Sequence, residues 1–217
     1  MLTTLKNAWN IVEVRKKIIF TLLMFVVFRL AAHIPVPGIS KDALGELFSA
    51  DIWSLVDTFS GGALKTFTVC AMGIMPYINA SIIMNLLTIC IPYFENLAKE
   101  GVEGRKKMAT ITRYGAIILA FIQAIGMTIY IRGALENPSL FSCLVVVMTM
   151  TAGTCFLMWL GELITEHGIG NGISLIIFIG IVAKLPSDLN TIVTSLQGGQ
   201  TNIITVILFA ILAVLII

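Results

Sequence analysis

Residues 59–87, FSGGALKTFTVCAMGIMPYINASIIMNLL, decide what kind of molecule this is. The stretch opens on a short glycine-containing segment and continues as an apolar run that contains Pro76, Asn79 and Asn85. A helix that merely anchors a protein in lipid has no reason to carry a helix-breaking proline and two amides. Such groups are tolerated at membrane depth where the backbone faces other protein or a water-filled path. The span from about Thr66 to Ile91, kinked at Pro76, is therefore expected to line something.

The rest of the chain places that span in a membrane bundle. Of its 217 residues 58% are hydrophobic and only 12% charged, with a mean hydropathy of +0.98. A soluble domain of this size cannot hide so much apolar surface. Several runs approach the ~20 residues a helix needs to cross a bilayer, and none alternates in the period of a barrel strand. The fold class is all-α integral membrane, a helical bundle.

In chain order, residues 1–17 read as an amphipathic segment at a membrane surface, with Leu5, Ala8, Trp9 and Val12 on one face. It flows into the next apolar run without a small-residue cleavage site and is not expected to be a removable signal peptide. The first span is Ile18 to about His33, with Arg29 expected to snorkel to the interface, and it closes on the turn-rich 34–38. Asp51 to Leu64 has a helical apolar pattern (Ile52, Leu55, Val56, Phe59) too short to cross. It is either an interfacial helix on the outer face or a re-entrant segment folded into a cavity. After the second span comes a charged loop, Pro92–Arg113. The third span is Tyr114–Ile131 and the fourth Leu140–Leu160; the glycine-rich link 161–172 leads to a fifth, Ile173–Leu185, ended by Pro186. A polar loop, 187–202, precedes a sixth run, 203–217.

Charge placement orients the bundle. Lys6, Arg15, Lys16 and Lys17 precede the first span, and Lys99, Arg105, Lys106, Lys107 and Arg113 follow the second. These nine of the fourteen basic residues fall on one side under a five-span count, so the N-terminus is expected to be cytoplasmic. Five spans and the start of another suggest one half of a two-half, inverted-repeat membrane protein. The net charge of +2 adds nothing to this.

Enzyme signatures such as HExxH, GxxxxGK[ST] and GxSxG are absent. Cys70, Cys90, Cys143 and Cys155 lie in or beside apolar runs without a CxxC pair and read as packed thiols. His33 and His167 lack a partner at ligand spacing. Gly168, Gly170 and Gly172 do not follow a strand, so they read as a flexible hinge for the fifth span rather than a phosphate loop. No metal or cofactor is expected.

Two isoleucine pairs share helix faces at i, i+4: Ile74 with Ile78, and Ile173 with Ile177. They are either lipid contact and core, or an apolar collar that blocks ions by dewetting. Asn85 and Thr112 either bond to neighbouring backbone or form a weak polar seam between the second and third spans.

KIIFTLLMFVVFRLAAHIPVPG (17–38), TFSGGAL (58–64), MGIMPYINASIIMNLL (72–87), GRKKMATITRYG (104–115) and FLMWLGELITEHGIGNGISLIIF (156–178) resemble the SecY family of bacterial Sec-translocon channel subunits, in order across nearly the whole chain. The resemblance implies the first five-span half of a ten-span clamshell (residues 18–202) and the beginning of the second half (203–217). It implies export of unfolded secretory proteins and lateral release of apolar segments into lipid, with no enzymatic step.

By motif, Ile74, Ile78, Ile173 and Ile177 match this half's share of the family's pore ring. Residues 53–64 (Trp53, Leu55, Val56, Phe59, Ser60, Gly61, Gly62, Ala63 and Leu64 among them) match its plug. Asn85, where the family commonly has glutamine, and Thr112 fall at the lateral gate. The implied partners are SecE, SecG, the SecA motor, the ribosome, signal peptides and unfolded polypeptides, and the lipid bilayer, without direct nucleic-acid contact; the implied place is the bacterial cytoplasmic membrane. The runner-up is half of a secondary transporter with a broken-helix substrate site. It would need coupling-ion carboxylates in mid-span, whereas Glu162 and Glu166 lie in the link.

Overall fold

The computed structural model of the protein describes residues 11–40, 57, 60–64, 66–135 and 138–198. Its described helices are, in order, α1 (Val12–Ala31), α2 (Met75–Cys90), α3 (Pro92–Lys99), α4 (Val102–Tyr130), a 3-10 turn (Arg132–Ala134), α5 (Leu140–His167) and α6 (Gly172–Gln197). Strand-like pairing among the described residues is confined to two isolated bridges, Pro35 with Thr68 and Ile39 with Leu135. Of the expected segments, residues 1–10 of the N-terminal one, Trp53, Leu55, Val56 and Phe59 of the plug, and the sixth run 203–217 lie outside the described residues.

Among the described helices, α4, α5 and α6 are long and apolar enough to cross a bilayer, and the α2–α3 pair makes a fourth if counted as one broken span. The chain is a multi-pass membrane protein. The helix Val12–Ala31 has 20 residues but carries Arg29 in its last turn, and Arg15, Lys16 and Lys17 near its start. Its apolar stretch is correspondingly short.

Several sequence boundaries move, each for a local reason. The second span does not kink at Pro76. Residues 66–74 are turns, and α2 begins at Met75 with the proline in its first turn, where a missing N–H costs nothing. The break comes instead at Ile91, one extended residue (φ −117°) before Pro92, and α3 leaves at 100° to α2. The charged stretch 92–113 is mostly helical, interrupted at Gly101 with φ +77°, because Glu, Lys, Arg and Ala are good helix formers. Pro186 does not end the last helix, which continues to Gln197. Beside the proline, the Ser187 hydroxyl donates to the Lys184 carbonyl at 2.7 Å.

Packing follows from small residues. The buried positions of α4 include Gly104, Thr112, Ala116, Ala120, Ala124 and Thr128, a stripe repeating every four residues. Lipid tails are as apolar as leucine, so membrane helices associate through close van der Waals contact, which small residues permit. Ala116 packs with Ala80 of α2 and Met158 of α5, and Ala124 with Val146, Val147 and Met150 of α5. Helix α5 also carries α1 and α6. A second core, formed by Phe28, Ala63, Cys70, Ile74, Leu157, Leu160, Ile164 and Ile176, joins α1, α5, α6 and the segment leading into α2.

The glycine-rich link, expected as a flexible hinge, is a hydrogen-bonded corner. The Thr165 hydroxyl donates to the Gly161 carbonyl and accepts the Gly172 N–H, both at 2.9 Å. The Thr21 hydroxyl of α1 accepts the Ile169 N–H at 3.3 Å. Asn171 caps α6, its Oδ1 accepting from the N–H groups of Ile173 (3.0 Å) and Ser174 (3.2 Å). A Cβ on Gly172 would stand 1.9 Å from the Gly161 carbonyl oxygen, and one on Gly168 would stand 2.6 Å from the Ile164 carbonyl oxygen and from Thr21 Oγ1. Of the three expected hinge glycines, only Gly170 has open space, at φ +71°.

Gly172→Ala is expected to lower stability by roughly 1–3 kcal/mol, since backbone must move to admit the methyl group. Gly126→Ala in α4, where an added Cβ meets nothing within 4 Å, is expected to raise stability slightly. Thermal unfolding of both variants in detergent checks the contrast; equal midpoints would mean the corner is not tight.

Candidate functional site

The two isoleucine pairs converge. Ile74, only 6% exposed, precedes α2 by one residue, and its carbonyl accepts the N–H groups of Tyr77 and Ile78 at 3.0 and 3.1 Å. Ile78 and Ile173 lie half-buried against the cluster of Phe28, Leu160, Ile164 and Ile176 to which Ile74 belongs. Ile177 lines a small cavity with Ile74, Phe28, Leu157 and Ser60. Residues a hundred positions apart in sequence thus form one apolar surface, with the serine of the glycine turn at its edge.

The described part of the plug stretch is buried in the bundle. Ala63 and Leu64 are each 1% exposed, Ser60 is 6%, and Ala63 joins the cluster that holds Ile74. Gly61 and Gly62 take φ +69° and +87°, a region that side chains make costly. A Cβ on Gly61 would stand 3.1 Å from Gly180 Cα of α6, so two backbones approach closely there. Where the stretch leaves, it runs beside the exit of α1. The Val36 N–H donates to the Phe67 carbonyl at 3.0 Å, and the Val69 N–H to the Ile34 carbonyl at 2.9 Å.

Charged contacts that the sequence reading did not foresee hold this turn. Lys184 Nζ of α6 lies 2.9 Å from Asp57 Oδ2, the carboxylate side chain being 1% exposed and the lysine side chain 11%. Asp57 Oδ1 accepts the Leu64 N–H at 3.1 Å. The Asp57 carbonyl accepts the Gly62 N–H at 2.9 Å and the Ser60 hydroxyl at 3.1 Å. Arg29 does not snorkel; its Nη1 donates to the Gly61 carbonyl at 3.2 Å. The sequence did carry a signal. An isolated Asp in a short apolar segment and an isolated Lys near the end of a span each ask for a partner. Their separation of 127 positions hid the pairing.

Asn85 and Thr112 are not brought together. Thr112 is 7% exposed and belongs to the small-residue stripe of α4, its hydroxyl donating to the Met108 carbonyl of its own helix at 2.8 Å. It lines a groove between α2 and α4 with Ala80, Met84, Leu87 and Gly115. Asn85 is exposed on α2 and is not part of that lining. The direct seam between the two is therefore replaced by an ordinary backbone bond for Thr112. Next to Thr112 on α4, Arg113 Nε donates to Glu162 Oε1 at 2.9 Å and ties α4 to α5. Among the described residues no group of three or more His, Cys, Asp or Glu gathers in metal-binding proximity.

The family model for SecY matches residues 68–217, most of the chain. This chain belongs to the SecY family. Of the similar curated proteins, the protein translocase subunit SecY of Halalkalibacterium halodurans is 48% identical over 220 residues, covering 97% of this chain and 51% of that protein. That of Staphylococcus carnosus is 49% identical over 209 residues, covering 93% and 49%. The chain spans about half the length of these SecY relatives.

Among solved structures, Sec61 in the canine ribosome–channel complex from the endoplasmic reticulum matches with TM-score 0.63 at 22% identity, covering 88% of this chain and 44% of that one. A structure described as that of a protein-conducting channel matches equally, at TM-score 0.63 and 22% identity over 88% and 43%. The SecY-family chain has the helical fold of these channels.

The glycine turn offers a direct check on its seat. Cys70 is 2% exposed and packs in the same cluster as Ala63, whereas Cys90 is exposed. Gly61→Ala, which introduces a Cβ against Gly180 in a left-handed conformation, is expected to loosen the turn. Site-resolved maleimide labelling in detergent should then find Cys70 modified at least about tenfold faster, given about 1–2 kcal/mol of backbone strain plus the contact, with Cys90 unchanged. Unaltered protection of Cys70 would show that the turn tolerates the methyl group.

Proposed function

We propose that the chain is the N-terminal half of a protein-conducting channel subunit, which passes unfolded secretory proteins across a membrane and releases apolar segments sideways into lipid. One observation carries the reading: Ile74, Ile78 and Ile173 share one apolar cluster with Ala63 of the glycine turn, and Ile177 lines a small cavity with Ile74 and Ser60. A collar of branched aliphatic side chains blocks ions by dewetting and offers a passing chain no hydrogen bonds to hold it. A compact turn seated beside the collar completes the seal while the channel rests. Residues 53–64 are then the plug, and Asn85 and Thr112 belong to the edge of this half that faces the second.

Sorting needs no covalent chemistry on this reading. On the insertion scale each Leu, Ile, Phe or Val at mid-membrane contributes about −0.3 to −0.6 kcal/mol, and each Asp, Lys or Arg costs about 2.5–3.5 kcal/mol. A polypeptide given lateral access to lipid leaves sideways where it is apolar and continues through the collar where it is polar. Directed movement requires energy from a partner: the SecA motor or a translating ribosome, with SecE and SecG completing the membrane complex. The nine basic residues before and at the start of α1 and in α3 and α4 favour a cytoplasmic N-terminus in the bacterial inner membrane.

Support comes from the translocase names of the relatives and the channel descriptions of the structural neighbours. The secondary-transporter reading has no such support. Asp57, the carboxylate that lies buried in the bundle, is engaged by Lys184 rather than open to a coupling ion.

Crosslinking in the full-length protein tests the proposal. A photoreactive residue at position 78, with position 125 on the outward side of α4 as comparison, is examined while a secretory chain is arrested in export. Crosslinks from 78 to successive polar stretches of the substrate, with few from 125, are the expected result; silence at 78 during verified arrest would remove the collar from the path. Ile78→Gly should likewise raise resting ion conductance several-fold, and unchanged conductance would count against the ring.

A further inference from the structure

We propose that Asp57 and Lys184 form an electrostatic latch that sets how much an arriving polypeptide must contribute to unseat the glycine turn, an inference that rests on the channel reading. The two charges belong to different bodies. Asp57 is fixed to the turn through its own Oδ1 and carbonyl, which accept the N–H groups of Leu64 and Gly62 and the Ser60 hydroxyl. Lys184 sits on α6, and the 2.9 Å contact between Nζ and Oδ2 spans the boundary. Any displacement of the turn from α6 stretches this contact, together with the Arg29 bond to Gly61.

The choice of an ion pair gives the seat a property that an apolar contact lacks. Attraction between opposite charges is strong where water is excluded and falls steeply as the local dielectric rises. With the carboxylate side chain 1% exposed and the lysine side chain 11%, the resting pair is dry. Once the turn shifts and water enters, both charges gain hydration and their attraction weakens. The latch therefore resists small displacements and gives way in larger ones, so opening is close to all-or-none. A leucine–methionine contact in the same place would grow costlier to separate as water arrived.

The pair predicts a distinctive pattern of variants. Removing one partner takes away the attraction across the boundary and leaves the other charge buried, which is destabilising, whereas removing both charges is closer to neutral. Asp57→Asn keeps an acceptor for the Leu64 N–H and takes the carboxylate from Lys184. Lys184→Met takes the ammonium from Asp57. The experiment measures resting ion conductance of the full-length channel in planar bilayers, and the minimum signal-sequence hydrophobicity for export in cells. Each single variant should raise resting conductance roughly tenfold or more, from the cost of breaking a buried ion pair, and lower the hydrophobicity required. Asp57→Asn/Lys184→Met, and the reversed pair Asp57→Lys/Lys184→Asp, should return both readouts most of the way to wild type.

Additive effects in the double variant, or single variants indistinguishable from wild type, would overturn the latch. Where a single variant fails to accumulate in the membrane, its recovery in the double variant counts for the pair and continued loss counts against it. Ile78→Gly separates the two levels of the argument. Leak from Ile78→Gly with silence from both single variants rejects the latch and leaves the channel reading standing. Silence from all three rejects the channel reading and the latch with it.

Discussion

A backbone polar group that leaves a helix at membrane depth must find a partner inside the protein, and the architecture depends on how that demand is met. In lipid an unsatisfied backbone N–H or C=O costs several kcal/mol, so irregular segments survive only where they are held by other protein. The irregular stretches here are held in that way. The exit of α1 pairs with the stretch after the glycine turn through Val36–Phe67 and Val69–Ile34, and Ser40 donates to the Ala134 carbonyl after α4. Hydroxyls within the helices return to the carbonyl four residues back, as at Thr88, Thr112, Thr128 and Thr154. Among the described residues no buried side-chain nitrogen or oxygen is left without a partner.

Once the polar groups are satisfied, small residues decide how the helices meet. The four-residue stripe of α4 lets α2 and α5 come close, and the glycines at 161, 168 and 172 let α5 fold back onto α6 without a gap. That closeness brings Ile74 and Ile78 within the same cluster as Ile173. The convergence of these isoleucines is thus a consequence of helix packing, and the hydrogen-bonded corner fixes where α6 starts relative to α5.

The glycine turn is the one described element held chiefly by charge. Asp57, Lys184 and Arg29 contact it from three parts of the chain, and Gly61 lies against Gly180. Apolar burial alone would seat it equally well in the dry state. Charged contacts differ in that their strength depends on the water around them.

The sequence by itself determined the class and most of the helices, because each is written in local periodicity or composition. Runs of apolar residues of bilayer length specify helices that satisfy their own backbone, whereas i, i+4 spacing paired the isoleucines without deciding between core and collar. Even the stripe that buries Thr112 was legible at its four-residue period, although Thr112 reads more readily as half of a polar seam with Asn85. Tertiary structure alone decided the rest. Whether Pro76 kinks a helix or starts one depends on what residues 66–74 pair with, and Pro186 continues inside α6 rather than ending it. The glycine link became a corner because Thr21 and Thr165 reach it from other helices. Asp57 and Lys184 became partners across 127 positions, since attraction between charges follows distance through space and leaves no period along the chain.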